Sequence, residues 1–193
     1  MSVDLIALNP KIHKDHIGAE CKGHTSSNAE VQCANGDRKA MALTGKLIAH
    51  VEMNSGGKVL HDLLRHKPHD IASICPHKVH GCDLVSGQRG AVGSTIMWHY
   101  THDGKQHSTK EIIEEIDEAN QKIVFKVIDG ELVEEIYKAF RLTFQVEPKQ
   151  DGKQLGTWTF EFEKPNVSVP YPTSLMDYLC GIIKDMDDHA TTK

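Results

Sequence analysis

The stretch that decides the fold runs from Thr157 to Met186 and reads TWTFEFEKPNVSVPYPTSLMDYLCGIIKDM. Its first part alternates aromatic with polar side chains, which is typical of a strand with one buried and one wet face. After Pro172, apolar residues recur at spacings of three and four, which predicts one amphipathic helix. Its apolar stripe consists of Leu175, Met176, Leu179, Ile182, Ile183 and Met186.

Six more strand-like segments precede this stretch, at residues 43–51, 79–85, 94–102, 106–116, 122–129 and 136–146. Two of the turns that separate strands contain Asp-Gly, the strongest short-range hairpin signal. A helix is predicted at 56–66, capped by Asn54-Ser55, and a short helical turn at 69–74. The sequence therefore predicts an α+β fold with a seven-stranded antiparallel sheet. One helix, about 10–12 Å across, is narrower than such a sheet, so we expect an internal space beside it.

The composition excludes several classes of partner. The chain has 193 residues and a net charge of −5, with both signs interspersed. It lacks the clustered basic footprint of nucleic-acid binding and any apolar run of membrane-spanning length, so we expect neither partner. The start, Met1 to Leu8, lacks the basic and apolar regions of a secretory signal, which predicts a cytoplasmic protein. Five cysteines are expected to stay thiols there.

Residues 1–41 differ from the rest of the chain, because they are polar, turn-rich and without sustained periodicity. We therefore predict a flexible N-terminal extension over 1–41 and a single folded domain over 42–190.

A family resemblance rests on five motifs in a fixed order. They are Gly45-Lys46-Leu47, the run His80 to Leu84, the loop Gly87 to Ser94, Trp98-His99-Tyr100, and the run Phe125 to Leu132. Together they resemble the major latex protein branch of the plant Bet v 1 superfamily, over about Leu43 to His189. The resemblance implies a helix-grip (Bet v 1/START-like) fold: a seven-stranded antiparallel sheet wrapped around a long C-terminal helix, with two short helices after the first strand. It also implies an internal apolar cavity and a role in plant defence and stress responses. The N-terminal extension departs from the branch.

The inward aromatic residues are first of all candidates for the core. Some of them are also expected to line the cavity, with tyrosines as polar handles because each combines an apolar ring with one hydroxyl. The predicted ligand-binding residues are Trp98, Tyr100, Phe125, Phe140, Phe144, Phe160, Tyr178 and Leu179. Tyr137 is a further candidate for a polar contact with a ligand if its side chain points inward, but at the edge of its strand it could equally point outward.

Cysteine and histidine residues are crowded between Cys75 and Cys82, together with His77 and His80. These are zinc-ligand types, but the spacing misses the paired pattern of structural zinc sites, and a strand turns successive side chains to opposite faces. No metal site is predicted here, nor at Cys21, His24 and Cys33.

Two other motifs are interpreted as structural or solvated. The glycines of Gly87–Gly93 lack the following helix and Lys-Ser/Thr of a phosphate loop, so a connection between strands is favoured. Glu111 and Glu115 are expected on the wet face, with Glu114, Asp117 and Glu118 nearby, where nothing tunes a carboxylate for catalysis. Some alkaloid-forming relatives use an inward lysine before an Ile-acidic-Gly motif, whereas Lys126 is expected to point outward. No catalytic residue and no cofactor are predicted.

The function that the sequence favours is binding of a small hydrophobic molecule inside the cavity, as a carrier or sensor. An isomerase or cyclase acting on a hydrophobic specialised metabolite is one alternative, and a perturbed titratable group facing inward would favour it. A protein-interaction module is the other, and a filled interior would favour that.

Overall fold

The computed structural model describes residues 5–8 and 43–192 of the chain. Its strands form one antiparallel sheet in the order β1-β2-β8-β7-β6-β5-β4-β3. The strands are β1 (Leu5–Leu8), β2 (Leu43–Met53), β3 (Val79–Ser86), β4 (Thr95–His102), β5 (Lys105–Asp117), β6 (Lys122–Asp129), β7 (Ala139–Pro148) and β8 (Gln154–Lys164).

In the described part of the chain, three α-helices accompany the sheet: α1 (Gly57–His66), α2 (Ile71–Ile74) and α3 (Thr173–Thr191). A 3₁₀ turn at Pro68–Asp70 precedes α2, and a π-type turn at Leu132–Ile136 joins β6 to β7. From Leu43 onward the order is a strand, two short helices, six strands and a long helix. The predicted α+β helix-grip fold is therefore confirmed.

An eighth strand lies outside that prediction. Residues Leu5–Leu8 run antiparallel to β2, with Leu5 opposite Ala49 and Leu8 opposite Lys46. Apart from these four residues, the predicted flexible extension of 1–41 lies outside the described part of the chain. The division into an extension and a domain over 42–190 stays a prediction.

The aromatic alternation of β8 builds the core as predicted. Phe160 and Phe162 are buried, and β7 places Leu142 and Phe140 directly opposite them. The rings of Phe140 and Phe160 lie 5.3 Å apart between centroids, within the range of favourable aromatic contacts. Gly45 of β2 faces Phe162, and a Cβ atom at Gly45 would come within 2.4 Å of that ring. Only glycine lets β2 approach β8 here without displacing the ring.

Helix α3 buries its apolar stripe against the sheet, with Met176, Ile183 and Met186 fully enclosed. Near its C-terminal end, Asp187 is also buried, and its carboxylate accepts hydrogen bonds from the backbone N–H groups of Asn54 and Ser55 at 2.7–3.1 Å. The predicted Asn54-Ser55 cap of α1 is therefore wrong. The N-cap residue is Gly56, with no side-chain hydrogen bond, and the two preceding residues bind α3 instead.

Candidate ligand-binding cavity

A cavity lies between helix α3 and the sheet. Its volume, taken as the space open to the centres of water-sized molecules, is about 80 Å³. One water needs roughly 10–15 Å³ on that measure, so the space exceeds an ordinary packing defect several-fold. The wall is almost entirely apolar, which is typical of sites that bind small molecules by burial.

Five of the eight predicted ligand-binding residues lie in this wall: Trp98, Tyr100, Phe125, Tyr178 and Leu179. They come from β4, β6 and α3, elements far apart in the sequence. The role of each in ligand binding stays a prediction, but the structure brings these five side chains together around one space.

The other three predicted residues, Phe140, Phe144 and Phe160, lie outside the cavity wall and are fully buried in the core. Phe144 contacts Trp158, with 4.8 Å between ring centroids, and Phe140 contacts Phe160. The alternation of a strand shows which side chains point inward. It does not show whether an inward side chain meets a void or another ring.

The wall also contains residues that the sequence analysis did not select. Leu142 and Trp158 come from the predicted inward faces of β7 and β8, and Leu64, Ile71 and Ile182 come from the three helices. The apolar faces of those elements were visible in the sequence, but their position beside the cavity was not. The indole N–H of Trp158 is buried and has no hydrogen-bond partner among the described residues.

The predicted position of Glu111 is wrong. It was expected on the wet face, but it is buried and lies in the cavity wall together with Thr109. The ladder between β5 and β6 shifts register between Lys110 and Glu111 and again between Ile113 and Glu115. Thr109, Glu111 and Ile113 alternate regularly and lie on the buried side, and the second shift, an extra residue at Glu114, leaves Glu115 exposed. The adjacent isoleucines 112 and 113 concealed that alternation in the sequence.

The polar part of the wall is small and internally bonded. The indole N–H of Trp98 donates to Oε2 of Glu111 at 3.2 Å, and the hydroxyl groups of Tyr100 and Thr109 lie 2.9 Å apart. Burial raises the pKa of the Glu111 carboxyl to about 7, against the smaller lowering effect of the Trp98 hydrogen bond. Burial likewise raises the pKa of Tyr100. Near neutral pH, Glu111 is therefore poised between its neutral and charged forms.

The other two tyrosine handles are both tied to the backbone. Tyr178 donates its hydroxyl to the carbonyl of Lys78 at 2.8 Å, and Tyr137 donates to the carbonyl of Pro170 at 2.9 Å. Tyr137 points inward and is buried against Phe140, which resolves the question left open by the sequence. It does not reach the cavity wall.

The cysteine and histidine motif is dispersed by the fold. Cys75 and Cys82 are buried, and burial raises the pKa of their thiols to about 11 and about 12. His80 is exposed and hydrogen-bonds the Thr101 hydroxyl at 2.7 Å. Within residues 5–8 and 43–192, no three His, Cys, Asp or Glu side chains form a group able to hold a metal ion. Cys21, His24 and Cys33 lie outside the described residues.

The glycine-rich loop between β3 and β4 contains three glycines with positive φ, at positions 87, 90 and 93. The side chain of Arg65 in α1 donates to the carbonyl of Gly90 at 2.9 Å. A Cβ atom at Gly90 would come within 3.0 Å of the Arg65 carbonyl oxygen, so the close approach to α1 requires glycine. The loop thus connects two strands and contacts α1, as the structural interpretation expects.

Comparison with known proteins decides the family. The model of the pathogenesis-related protein Bet v 1 family matches residues 42–193. The chain belongs to the Bet v 1 family. MLP-like protein 43 of Arabidopsis thaliana is 39% identical over 152 residues, covering 78% of this chain and 96% of that protein. Major latex protein 22 of Papaver somniferum is 33% identical over 148 residues, covering 76% and 90%.

Solved structures place this Bet v 1 family member beside the major latex-like proteins. The crystal structure of ginseng major latex-like protein 151 from Panax ginseng superposes with a TM-score of 0.73 at 38% identity, covering 77% of this chain and 98% of that one. Norcoclaurine synthase from Thalictrum flavum, solved with dopamine and hydroxybenzaldehyde, gives 0.60 at 12% identity, covering 82% and 98%. That likeness shows the fold alone. In the described part of the chain, no helix is long and apolar enough to cross a membrane.

Proposed function

We propose that this Bet v 1 family protein binds a small hydrophobic molecule in the cavity beneath α3, as a carrier or sensor. The observation that carries the proposal is the apolar cavity itself, open beside Phe125, Leu142 and Ile182 in an otherwise close-packed core. A ligand that buries its surface there gains about 25 cal/mol per Å² of apolar area removed from water. The family commonly binds small hydrophobic ligands, which supports the same proposal.

The cavity also weighs against the interaction-module alternative, because that alternative expected a filled interior. Polar groups are few in the wall, and this matches sites in which burial supplies affinity and one or two hydrogen bonds fix orientation. A link with defence and stress responses and a cytoplasmic location belong to the proposal. The link with defence and stress responses rests on the family resemblance.

The test uses two tryptophan substitutions on neighbouring residues of β7. Leu142→Trp extends an indole from the cavity wall into the space, whereas Thr143→Trp places the same group on the opposite face of the same strand. Binding of 8-anilinonaphthalene-1-sulfonate is followed by its fluorescence, and folding of both variants by circular dichroism.

Leu142→Trp is expected to weaken dye binding at least tenfold, because the added ring occupies the space that the dye needs. Thr143→Trp should bind as the parent does. If both folded variants bind the dye with parental affinity, or if the parent binds none, the cavity is not a hydrophobic binding site and the proposal fails.

An enzyme is the second candidate, and Glu111 is the observation that favours it. A buried carboxyl whose pKa lies near 7 is suited to general acid or base catalysis. An isomerase or cyclase would convert a bound metabolite, whereas a carrier would release it unchanged. Mass spectrometry of ligands recovered after incubation separates these outcomes, and any conversion should disappear in Glu111→Gln.

A further inference from the structure

Among the described residues, Glu111 is the only carboxylate in the cavity wall, and its two oxygens differ in their hydrogen bonding. Oε2 accepts the hydrogen bond from the indole of Trp98 at 3.2 Å. Oε1 accepts none from the described residues, although it is not sealed off within the protein. One face of a buried carboxylate is therefore left without a donor, beside an apolar space.

The neighbouring groups do not supply the missing donor. The hydroxyl groups of Tyr100 and Thr109 are hydrogen-bonded to each other, and that of Tyr178 donates to the Lys78 carbonyl. No lysine or arginine in the described part of the chain forms an ion pair with Glu111. A buried carboxylate costs free energy unless it is hydrogen-bonded or paired, and no described protein group supplies that partner at Oε1.

We propose that Oε1 of Glu111 accepts a hydrogen bond from a hydroxyl or amine group on an otherwise apolar ligand. The proposal rests on the proposed function and deepens it, because it names the chemical class of the ligand. Of two ligands with the same ring system, a carboxylate beside a hydrophobic wall favours the one that carries a hydrogen-bond donor over the one that lacks it. Such selection is strong where a mismatch leaves a buried polar group unpaired.

A dependence on pH follows, with a definite sign. The charge of Glu111 acts on Cys82 from β3 and Tyr100 from β4, and Tyr178 from α3 lies in the same cavity wall. Burial raises the pKa of each, so these three stay neutral around pH 7. A donor on the ligand favours the ionised carboxylate, and its affinity should therefore fall as the pH drops below the pKa of Glu111, about 7.

The test compares two probes that share one ring system: 2-naphthol, which carries a hydroxyl donor, and 2-methoxynaphthalene, in which that donor is methylated. Their dissociation constants are measured by calorimetry at pH 8 and pH 5.5. The proteins are the parent, Glu111→Gln, Glu111→Leu and the control Glu115→Gln. Glu115 is on the same strand, but it is exposed and paired with Lys122 at 2.6 Å.

The parent should bind 2-naphthol about tenfold more tightly than 2-methoxynaphthalene at pH 8, and the preference should shrink at pH 5.5. Glu111→Leu should bind both probes equally, Glu111→Gln should lose the pH dependence, and Glu115→Gln should match the parent. Equal affinity of the parent for the two probes, or an unchanged pH dependence in Glu111→Gln, overturns the subsite and leaves the binding function standing. If the parent binds neither probe, both the Glu111 subsite and the proposed binding function are overturned.

Discussion

Asp187 offers the sharpest test of how helix α3 is held on the sheet. Its carboxylate is 4% exposed and accepts hydrogen bonds from the backbone N–H groups of Asn54, at 3.0 and 3.1 Å, and Ser55, at 2.7 Å. These two residues join β2 to α1, so Asp187 ties the end of the chain to the start of the first helix. Replacing Asp187 with alanine removes the carboxylate and supplies no other acceptor for these hydrogen bonds.

The expected cost follows from the number of groups left without a partner. Two backbone N–H groups lose their acceptor, that of Ser55 in a buried site and that of Asn54 in a partly buried one, and each such loss costs at most about 1–3 kcal/mol. The relief of an unfavourable charge at a helix C-terminus returns less than about 1 kcal/mol. We therefore expect Asp187→Ala to lower the free energy of unfolding by about 3 kcal/mol. For a chain of this size, that corresponds to a fall in Tm of roughly 6–12 °C.

The control is Asp188→Ala, which removes the same charge one residue later. Asp188 is exposed, and the hydrogen bonds that it accepts from the hydroxyl groups of Thr191 and Thr192 end on its backbone carbonyl, not on its side chain. Urea unfolding followed by circular dichroism gives the free energies of both variants and the parent. Asp188→Ala should stay within about 0.5 kcal/mol of the parent. If Asp187→Ala is as stable as Asp188→Ala, the carboxylate does not anchor α3 and the reasoning is wrong.

Three other expectations concern stability. Gly45→Ala should lower the free energy of unfolding by about 1–3 kcal/mol in thermal or urea unfolding, because the new methyl group meets the ring of Phe162; an unchanged midpoint would contradict that clash. The pKa of Glu111 is raised by folding from 4.5 to about 7, so its contribution favours folding at low pH and declines as the pH rises through that interval. The free energy of unfolding of Glu111→Gln, measured in urea, should therefore rise by up to about 3 kcal/mol relative to that of the parent between pH 4 and pH 8. A difference between the two proteins that does not change with pH would refute the raised pKa. A chain starting at residue 42 should keep its Tm within a few degrees, because β1 lies at the edge of the sheet and pairs with β2 alone among the described strands. A larger fall would show that β1 contributes more than edge pairing.

The sequence predicts the fold well where one periodicity dominates. The alternation of Trp158, Phe160 and Phe162 and the apolar stripe of α3 correctly predicted two of the elements that border the cavity, and their apolar faces are buried as expected. Strand β5 is different, because Thr109, Glu111 and Ile113 alternate inward whereas a bulge at Glu114 turns Glu115 outward, and no signal along β5 itself reports that bulge. Bulges depend on how two strands pair, and pairing is not a local property of either strand.

The candidate site is predictable in part for the same reason. Alternation correctly placed Trp98, Tyr100 and Phe125 on the inner face, where they meet the cavity. It also placed Phe140 and Phe160 inward, but those rings pack against each other. Which inward side chain borders a void depends on the fit of side chains from several elements at once. The role of Asp187 could not be predicted for a similar reason, since its hydrogen-bond partners lie more than 130 residues away in the sequence.

The central claim is that the space beneath α3 holds the ligand. Intermolecular nuclear Overhauser effects between bound 2-naphthol and the protein test it most directly, because they report contacts shorter than about 5 Å without any mutation. We expect contacts with the side chains of Trp98, Leu142 and Ile182, which come from three different elements of the cavity wall. Contacts confined to residues on the outer face of the sheet, such as Thr143 and Thr159, would contradict the account.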